Sequence, residues 1–326
     1  MAKKLRIGFI GAGGIAVGHF QRLEAAKNAE VVAITEPSRP GLKRFQEHCP
    51  ASAMLPTYRD YRVMLKKETL DAVVILSPHT LHFEQITTAL RQGLHVLSEK
   101  PMTCTINHAK ALIKLAEKEK RVLMISYQRH FEAPFRYMRD QIQKGALGKI
   151  EFVQAVLCQE WLRLTKGTWR QKIALSGGGQ INDSGSHMID IIMWMTGLRV
   201  AEVFAVSENF KKEVDINSTV AMTFDNGALG SLSIIGNAPT WREDHSIVGS
   251  KGALYLRQGE LIQEDALGKP VKIRLPKVKS DPDANFVQSI LGKESPEVPP
   301  ECGLRTIEVT EAAWKSAAKG KPVRLR

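Results

Sequence analysis

The run Gly11-Ala12-Gly13-Gly14-Ile15-Ala16 constrains this chain more than any other stretch, because it follows the short apolar segment Leu5–Ile10 and opens an amphipathic one. Glycines spaced G-x-G-x-x-[GA] between a strand and a helix have separate duties: Gly11 permits the tight turn, Gly13 lets the backbone approach a ligand, and Ala16 keeps helix and strand close. The N–H groups at the helix start, from Gly14 and Ile15 onward, carry the positive end of the helix dipole and suit a pyrophosphate. Glu36 ends the next apolar run, about twenty residues on, where an acid can bind both hydroxyls of an adenosine ribose. The pattern reads as a dinucleotide site with NAD favoured. Arg39, just after Ser38, can accept a 2′-phosphate, so NADP stays open.

The surrounding rhythm agrees. Apolar runs at residues 5–10, 31–35, 72–76, 95–97 and 122–125 each precede a helical pattern, which predicts βαβ units and a doubly wound parallel sheet with ligands at the carboxyl ends of its strands. After Ser126 a helical segment near 134–144 leads into longer strand-like runs at 150–159, 200–207, 218–224 and 229–235, with the turn Asp225-Asn226-Gly227 between the last two. Val271, Ile273 and Leu275 alternate with Lys272 and Arg274 as a half-buried strand does. Helical patterns close the chain around 283–291 and 304–318. We therefore expect an α/β protein: residues 1–126 a dinucleotide-binding Rossmann domain, and residues 127–326 a substrate-binding and oligomerisation domain with a large, mostly antiparallel open sheet. Val220, Met222 and Phe224 fit a helix-covered face of that sheet. The opposite face is open to a subunit partner or to further core.

Composition bounds the rest. A chain of 326 residues with 43% hydrophobic and 25% charged residues can bury two ordinary cores. Its net charge of +12 raises nucleic acid as a partner. The excess is scattered, and no helix-turn-helix, RNA-binding aromatic motif or zinc-finger spacing accompanies it, so none is expected. Lys3, Lys4 and Arg6 ahead of apolar residues imitate a secretory leader, but the glycines from Gly8 to Gly18 suit a turn better. No apolar run is long enough for a membrane helix. Cys49, Cys104, Cys158 and Cys302 lie far apart without metal-ligand spacing, so we expect the cytoplasm and no metal.

Two further segments carry chemistry. Glu99-Lys100-Pro101 follows the run at 95–97, and a lysine there can aim its ammonium at a developing alkoxide or carbonyl oxygen. Its X-Pro bond also permits a cis peptide. Ser176 to His187 is a glycine-rich stretch leading into the apolar helix 188–195. If helical from Asp183, that residue and His187 share a face, and a neutral imidazole can take a proton from a substrate hydroxyl. The glycines would let the chain pass close to a ligand. Singly, Asp183 also fits an N-cap, His187 a core histidine and the glycines a flexible connection. Arg129, Trp161, Arg163, Trp169 and Arg170 lead toward this stretch; Arg129 and Trp169 are the candidates for holding a substrate by hydrogen bonds and stacking.

Gly11 to Ala16, Ser77-Pro78-His79 with His82, the stretch His95 to Pro101, and Gly177-Gly178-Gly179 through Asp183 and His187 together resemble the glucose-fructose oxidoreductase and inositol dehydrogenase (Gfo/Idh/MocA) family. Gly145 to Gly148, Asn285-Phe286 and Gly320 to Val323 extend the resemblance nearly end to end. It implies a Rossmann domain, an open-sheet domain that commonly mediates dimers or tetramers, and a catalytic trio carried here by Lys100, Asp183 and His187. In that scheme His187 is the acid/base, Asp183 orients it and Lys100 polarises the substrate oxygen. Ser77, Pro78 and His82 would lie near the nicotinamide, with Glu99 supporting Lys100. Glu36 departs from the aspartate many relatives carry.

The expectation is an NAD(P)-dependent dehydrogenase acting on a CH–OH group of a sugar, inositol or related polyol. A glycoside hydrolase working by transient oxidation would show no net change in cofactor absorbance. A non-catalytic dinucleotide-binding sensor would need none of the proton chemistry of Lys100, Asp183 and His187.

Overall fold

The computed structural model describes residues 4–325; residues 1–3, Lys3 among them, and residue 326 lie outside the described residues. In chain order the elements begin β1 (Leu5–Ile10), α1 (Gly14–Ala25), β2 (Ala29–Thr35), α2 (Arg39–His48), β3 (Thr57–Tyr58), α3 (Tyr61–Lys67), β4 (Ala72–Ile75), α4 (His82–Arg91), β5 (His95–Ser98), α5 (Ile106–Glu119) and β6 (Leu123–Ile125). They continue with α6 (Ala133–Gln143), β7 (Ile150–Cys158), α7 (Trp161–Leu164), α8 (Ile173–Ser176), α9 (Ser184–Thr196), β8 (Val200–Glu208), β9 (Asn217–Phe224) and β10 (Leu229–Ile235). Last come β11 (Arg242–Gly249), β12 (Gly252–Arg257), β13 (Glu260–Asp265), α10 (Pro282–Ile290), α11 (Pro300–Lys319) and β14 (Val323–Arg324).

The first compact unit comprises Met1–Thr103, Asn107–Tyr127 and Ser280–Gly303. Its sheet runs β3-β2-β1-β4-β5-β6 with every pairing parallel, the doubly wound order that the alternating pattern predicts. All four residues of β4 are buried, as a strand covered on both faces requires. In α4 the buried positions His82, Gln85, Ile86, Ala89 and Leu90 recur at helical spacing, so the helix turns one stripe to the sheet and the rest to solvent. The sequence reading cuts the chain once, after residue 126, whereas Ser280–Gly303 returns to this unit. Pro282 at the first turn and the Asp281 side chain, which accepts the Ala284 N–H, start α10 there.

The second unit comprises Cys104–Ile106, Gln128–Lys279 and Leu304–Arg326. Its eight strands run β13-β12-β11-β7-β10-β9-β8-β14, antiparallel throughout except for the parallel pair β7–β10. The Asp225-Asn226-Gly227 turn joins β9 to β10, with Gly227 at φ +88° and the Phe224 N–H donating to the Ala228 carbonyl. Val220, Met222 and Phe224 are buried in one core with Met188, Ile189 and Ile192 of α9. Phe152, Phe204, Val206 and Leu229 are exposed on the other side of the sheet.

One expected strand is absent: residues 271–275 are not in a strand, and Val271 and Leu275 are largely exposed. Beyond β13 a bridge between Glu264 and Pro270, the Asp265 N–H to the Lys269 carbonyl and the Val271 N–H to the Gln263 carbonyl continue the ladder. Pro270 has no N–H to contribute, and no strand forms beyond Val271 up to residue 275. Among the described residues, no helix is long and apolar enough to cross a membrane.

Candidate active site

In the first unit, register alone brings a group of the candidate residues together. Ile10 pairs with Thr35 and with Ile75, and Ile75 pairs with Ser98. The residues that follow these four partners, Gly11, Glu36, Leu76 and Glu99, therefore stand side by side along the carboxyl edge of the sheet. Hydrogen bonds from Gly11 N–H to Thr35, Leu76 N–H to Ile10 and Glu99 N–H to Ile75 carry the pairing to that edge. Segments far apart in sequence thus converge where open α/β sheets hold ligands.

The glycine turn has the expected division of labour. Gly11 has φ +105°, and a β-carbon there would come within 2.9 Å of the Leu76 carbonyl, so only glycine fits. Around Gly13 and Gly14 the space is open, with nothing within 4 Å of a β-carbon built on either. Helix α1 starts at Gly14 with no side chain capping it and no acid in its first turn. That uncapped, exposed N-terminus fits a dinucleotide pyrophosphate. Ile15 is also exposed, at the same lip.

Glu36 already holds the turn: one carboxylate oxygen accepts the Ala12 N–H at 2.9 Å and the other the Ser38 N–H at 2.9 Å. It remains half-exposed. Ser38 is occupied as the N-cap of α2, accepting the Gly41 N–H at 3.1 Å, and Arg39 is exposed at the first position of that helix.

Ser77 and Pro78 are half-buried, and the Ser77 hydroxyl donates to the Gln85 side chain at 2.6 Å. His82, read from the sequence as a cofactor contact, is fully enclosed: its ring nitrogens lie 2.8 Å from the Pro101 carbonyl and 2.9 Å from the Ser77 carbonyl. It braces the two loops from behind. The Lys100–Pro101 peptide is cis, and Lys100 is half-buried with its backbone N–H 3.3 Å from the Glu99 carboxylate. Burial opposes the charge on Glu99, but the hydrogen bond and charge of His19 outweigh it and hold the carboxyl below its usual range.

The second unit carries the remaining candidate residues. Helix α9 begins at Ser184, so Asp183 occupies the N-cap position, though its side chain does not cap. One of its oxygens instead accepts from Trp161 Nε1 and from Arg170 Nε, each at 2.9 Å. Arg170 also lies 4.6 Å over the Trp169 ring. In the otherwise buried opening of α9, His187 is the residue left accessible.

The glycine run before it has a different purpose from the one its composition suggests. Gly177 closes α8 in the left-handed conformation, φ +65°. A β-carbon on Gly178 would collide with the Trp314 indole, and one on Gly179 with the Asp215 backbone. The Asp215 carboxylate accepts the N–H groups of Gly179 (3.0 Å) and Ile181 (2.9 Å) and Trp314 Nε1 (2.9 Å). These glycines allow the chain to pass another part of the protein rather than a ligand. Asp215 and Trp314, lone residues in unremarkable surroundings, were not legible as part of this arrangement.

Of the two candidate substrate contacts, Trp169 lies under Arg170, which itself donates to Asp183, whereas Arg129 gives Nε and one terminal nitrogen to Glu243. His245 lies 3.0 Å from the same carboxylate. Burial opposes the Glu243 charge, yet His245 and Arg129 hold its pKa at about 2.

Residues 5–127 match the oxidoreductase family with an NAD-binding Rossmann fold, and residues 135–255 match the GFO/IDH/MocA C-terminal domain. The chain is 23% identical to myo-inositol 2-dehydrogenase of Thermotoga maritima, over 98% of both sequences. It superposes on an oxidoreductase domain protein from Kribbella flavida with a TM-score of 0.88 at 22% identity, covering 99% of this chain and 100% of that one. It also superposes on the WlbA dehydrogenase of Bordetella pertussis, solved with NADH and UDP-GlcNAcA, with a TM-score of 0.85 at 23% identity, covering 100% of this chain and 99% of that one.

Proposed function

Since the chain belongs to the GFO/IDH/MocA family of oxidoreductases, we propose that it is an NAD(P)-dependent dehydrogenase acting on a secondary alcohol or ketone of a sugar, inositol or related polyol. The observation that carries this reading is the shared strand register, which sets the glycine turn, Glu36 and the Glu99-Lys100-Pro101 loop along one sheet edge. The named activities of the T. maritima and B. pertussis relatives support the substrate class.

In this reading the uncapped start of α1 holds the pyrophosphate through backbone N–H groups, and Gly11, Gly13, Gly14 and Ile15 leave room for it. Glu36 takes the adenosine ribose hydroxyls and disfavours a 2′-phosphate; Arg39, exposed three residues on, keeps NADP within reach. Ser77 and Pro78 border the nicotinamide end. The dinucleotide, when bound, supplies the hydride acceptor or donor. Lys100 stabilises negative charge on the substrate oxygen, and His187 takes or returns the hydroxyl proton. Asp183, fixed by Trp161 and Arg170, orients His187, and Trp169 stacks on the sugar's C–H face. Arg129 is reached by substrate only if Glu243 shares it.

We further propose a homodimer or homotetramer formed through the exposed sheet face bearing Phe152, Phe204, Val206 and Leu229, and a cytoplasmic home consistent with four free cysteines. Catalysis is tested by mixing the protein with NAD⁺ or NADP⁺ against inositols, aldoses and sugar acids while following reduced-nicotinamide absorbance, with His187→Ala as control. Turnover abolished in the control supports the dehydrogenase. Silence across the panel with dinucleotide still bound sinks it.

A further inference from the structure

Beneath the glycine turn lies a buried charged cluster that the proposed chemistry does not use. His19, in the second turn of α1, is completely enclosed, with a carboxylate at each ring nitrogen: Nδ1 is 2.7 Å from Asp283 and Nε2 is 3.1 Å from Glu99. Asp283 is also buried, and its second oxygen accepts from Arg22 Nε. Asp281, at the start of α10, lies 3.7 Å from the same guanidinium. The second Glu99 oxygen faces the Lys100 backbone N–H. The charged groups around His19 are thus Arg22 from its own helix, Asp283 from α10 with Asp281 beyond the Arg22 guanidinium, and Glu99 with Lys100 from the end of β5.

An imidazole with an anionic acceptor at both nitrogens has one arrangement without a clash of lone pairs, that in which both nitrogens carry protons. Burial alone favours the neutral ring, but the two carboxylates override it and lift His19 to about 9. The cation in turn holds Glu99 ionised and in one rotamer, since a buried carboxylate stripped of its partner is costly.

We propose that His19 is a positioning residue for Lys100: clamped between Asp283 and Glu99, it fixes the carboxylate that receives the Lys100 backbone N–H and so sets the direction of the lysine. This rests on the assignment of Lys100 as the group that polarises substrate. It links the helix that opens on the cofactor turn, the loop bearing the lysine, and an aspartate 264 residues away from His19.

The test uses the full chain, with two readouts that need no substrate. In long-range proton–nitrogen spectra at about pH 8, one histidine of the parent protein shows the doubly protonated pattern, and both Asp283→Asn and Glu99→Gln move that signal. Reductive methylation followed by mass spectrometry gives the rate at Lys100 relative to surface lysines, which changes by about threefold or more in each variant. With substrate in hand, kcat falls by about tenfold or more while the KM for dinucleotide stays within about twofold, and the double variant is no worse than the poorer single one. A neutral ring in the parent overturns the proposal. So do variants that lose the cation yet keep Lys100 reactivity and kcat. Near-normal kcat in Lys100→Ala instead removes the catalytic assignment while leaving the histidine spectra as expected, so the two failures are distinguishable.

Discussion

Gly179 and Asp215 are packed backbone to backbone, closely enough that a β-carbon on the glycine would overlap the Asp215 carbonyl. Because that obstacle is main chain whose carbonyl accepts the Gln180 N–H, and the Asp215 carboxylate accepts the Gly179 and Ile181 N–H groups, it cannot swing aside. Gly179→Ala should destabilise the protein by about 3 kcal/mol, the upper end for overpacking. Urea denaturation measures this; a loss within about 0.5 kcal/mol would mean the loop relaxes freely.

Gly13→Ala should behave in the opposite way. With open space around that position, folding stability should fall by no more than about 1 kcal/mol, the scale of an N-cap change. Dinucleotide affinity, followed by fluorescence titration, should weaken by about tenfold or more, because the added methyl occupies the approach to the phosphates. Unchanged affinity would place the pyrophosphate elsewhere.

Lys100→Ala and His187→Ala should each lower kcat by roughly two or more orders of magnitude while dinucleotide affinity is kept. Near-normal rates in both variants would remove them from the chemistry.

Glu36→Ala should weaken NAD far more than NADP, since it deletes a ribose ligand and a repulsion together. It also frees the Ala12 N–H, so some loss of NADP affinity is expected as well. If the parent protein binds NADP more tightly than NAD, Arg39 rather than Glu36 sets the preference.

Stability should form a plateau in pH with two distinct edges. The folded pKa of His19, about 9, exceeds its unfolded value of about 6.5, so its contribution is complete below about pH 6.5 and is lost as pH rises through 9. The linked amount is on the order of 3 kcal/mol. Glu243, held at about 2, contributes above its unfolded value of about 4.3, and that contribution disappears as pH falls through 2. Urea midpoints from acid to alkaline pH should show both edges, with the alkaline one flattened in Asp283→Asn. An alkaline edge unaltered by that substitution would assign it to another group.

What could be read from the sequence was local. The turn from Gly11 to Ala16 is legible because its duties depend on neighbours within one strand and one helix, and Leu229–Ile235 because alternation survives burial of one face. The strand β11 was not legible because Arg242, Glu243, Asp244 and His245 open it with charge, which the ion pairs Arg129–Glu243 and Arg242–Asp244 make tolerable inside a sheet. Gly178 and Gly179 misled because glycine records a close approach without naming what approaches. The clamp on His19 was invisible for a simpler reason: nothing in the composition near Asp283 points to a partner at the other end of the chain.

The return of Ser280–Gly303 to the first unit also bears on synthesis. A ribosome releases the strands of the first sheet early, yet the Asp283 carboxylate that balances His19 emerges only after seven of the second sheet's eight strands. A nascent chain stopped near residue 127 would hold an imidazole and Glu99 with no counterpart from α10. The first half to be translated therefore waits for almost the whole chain before it reaches its final form, and that interval is when its exposed apolar surface is most open to misassociation.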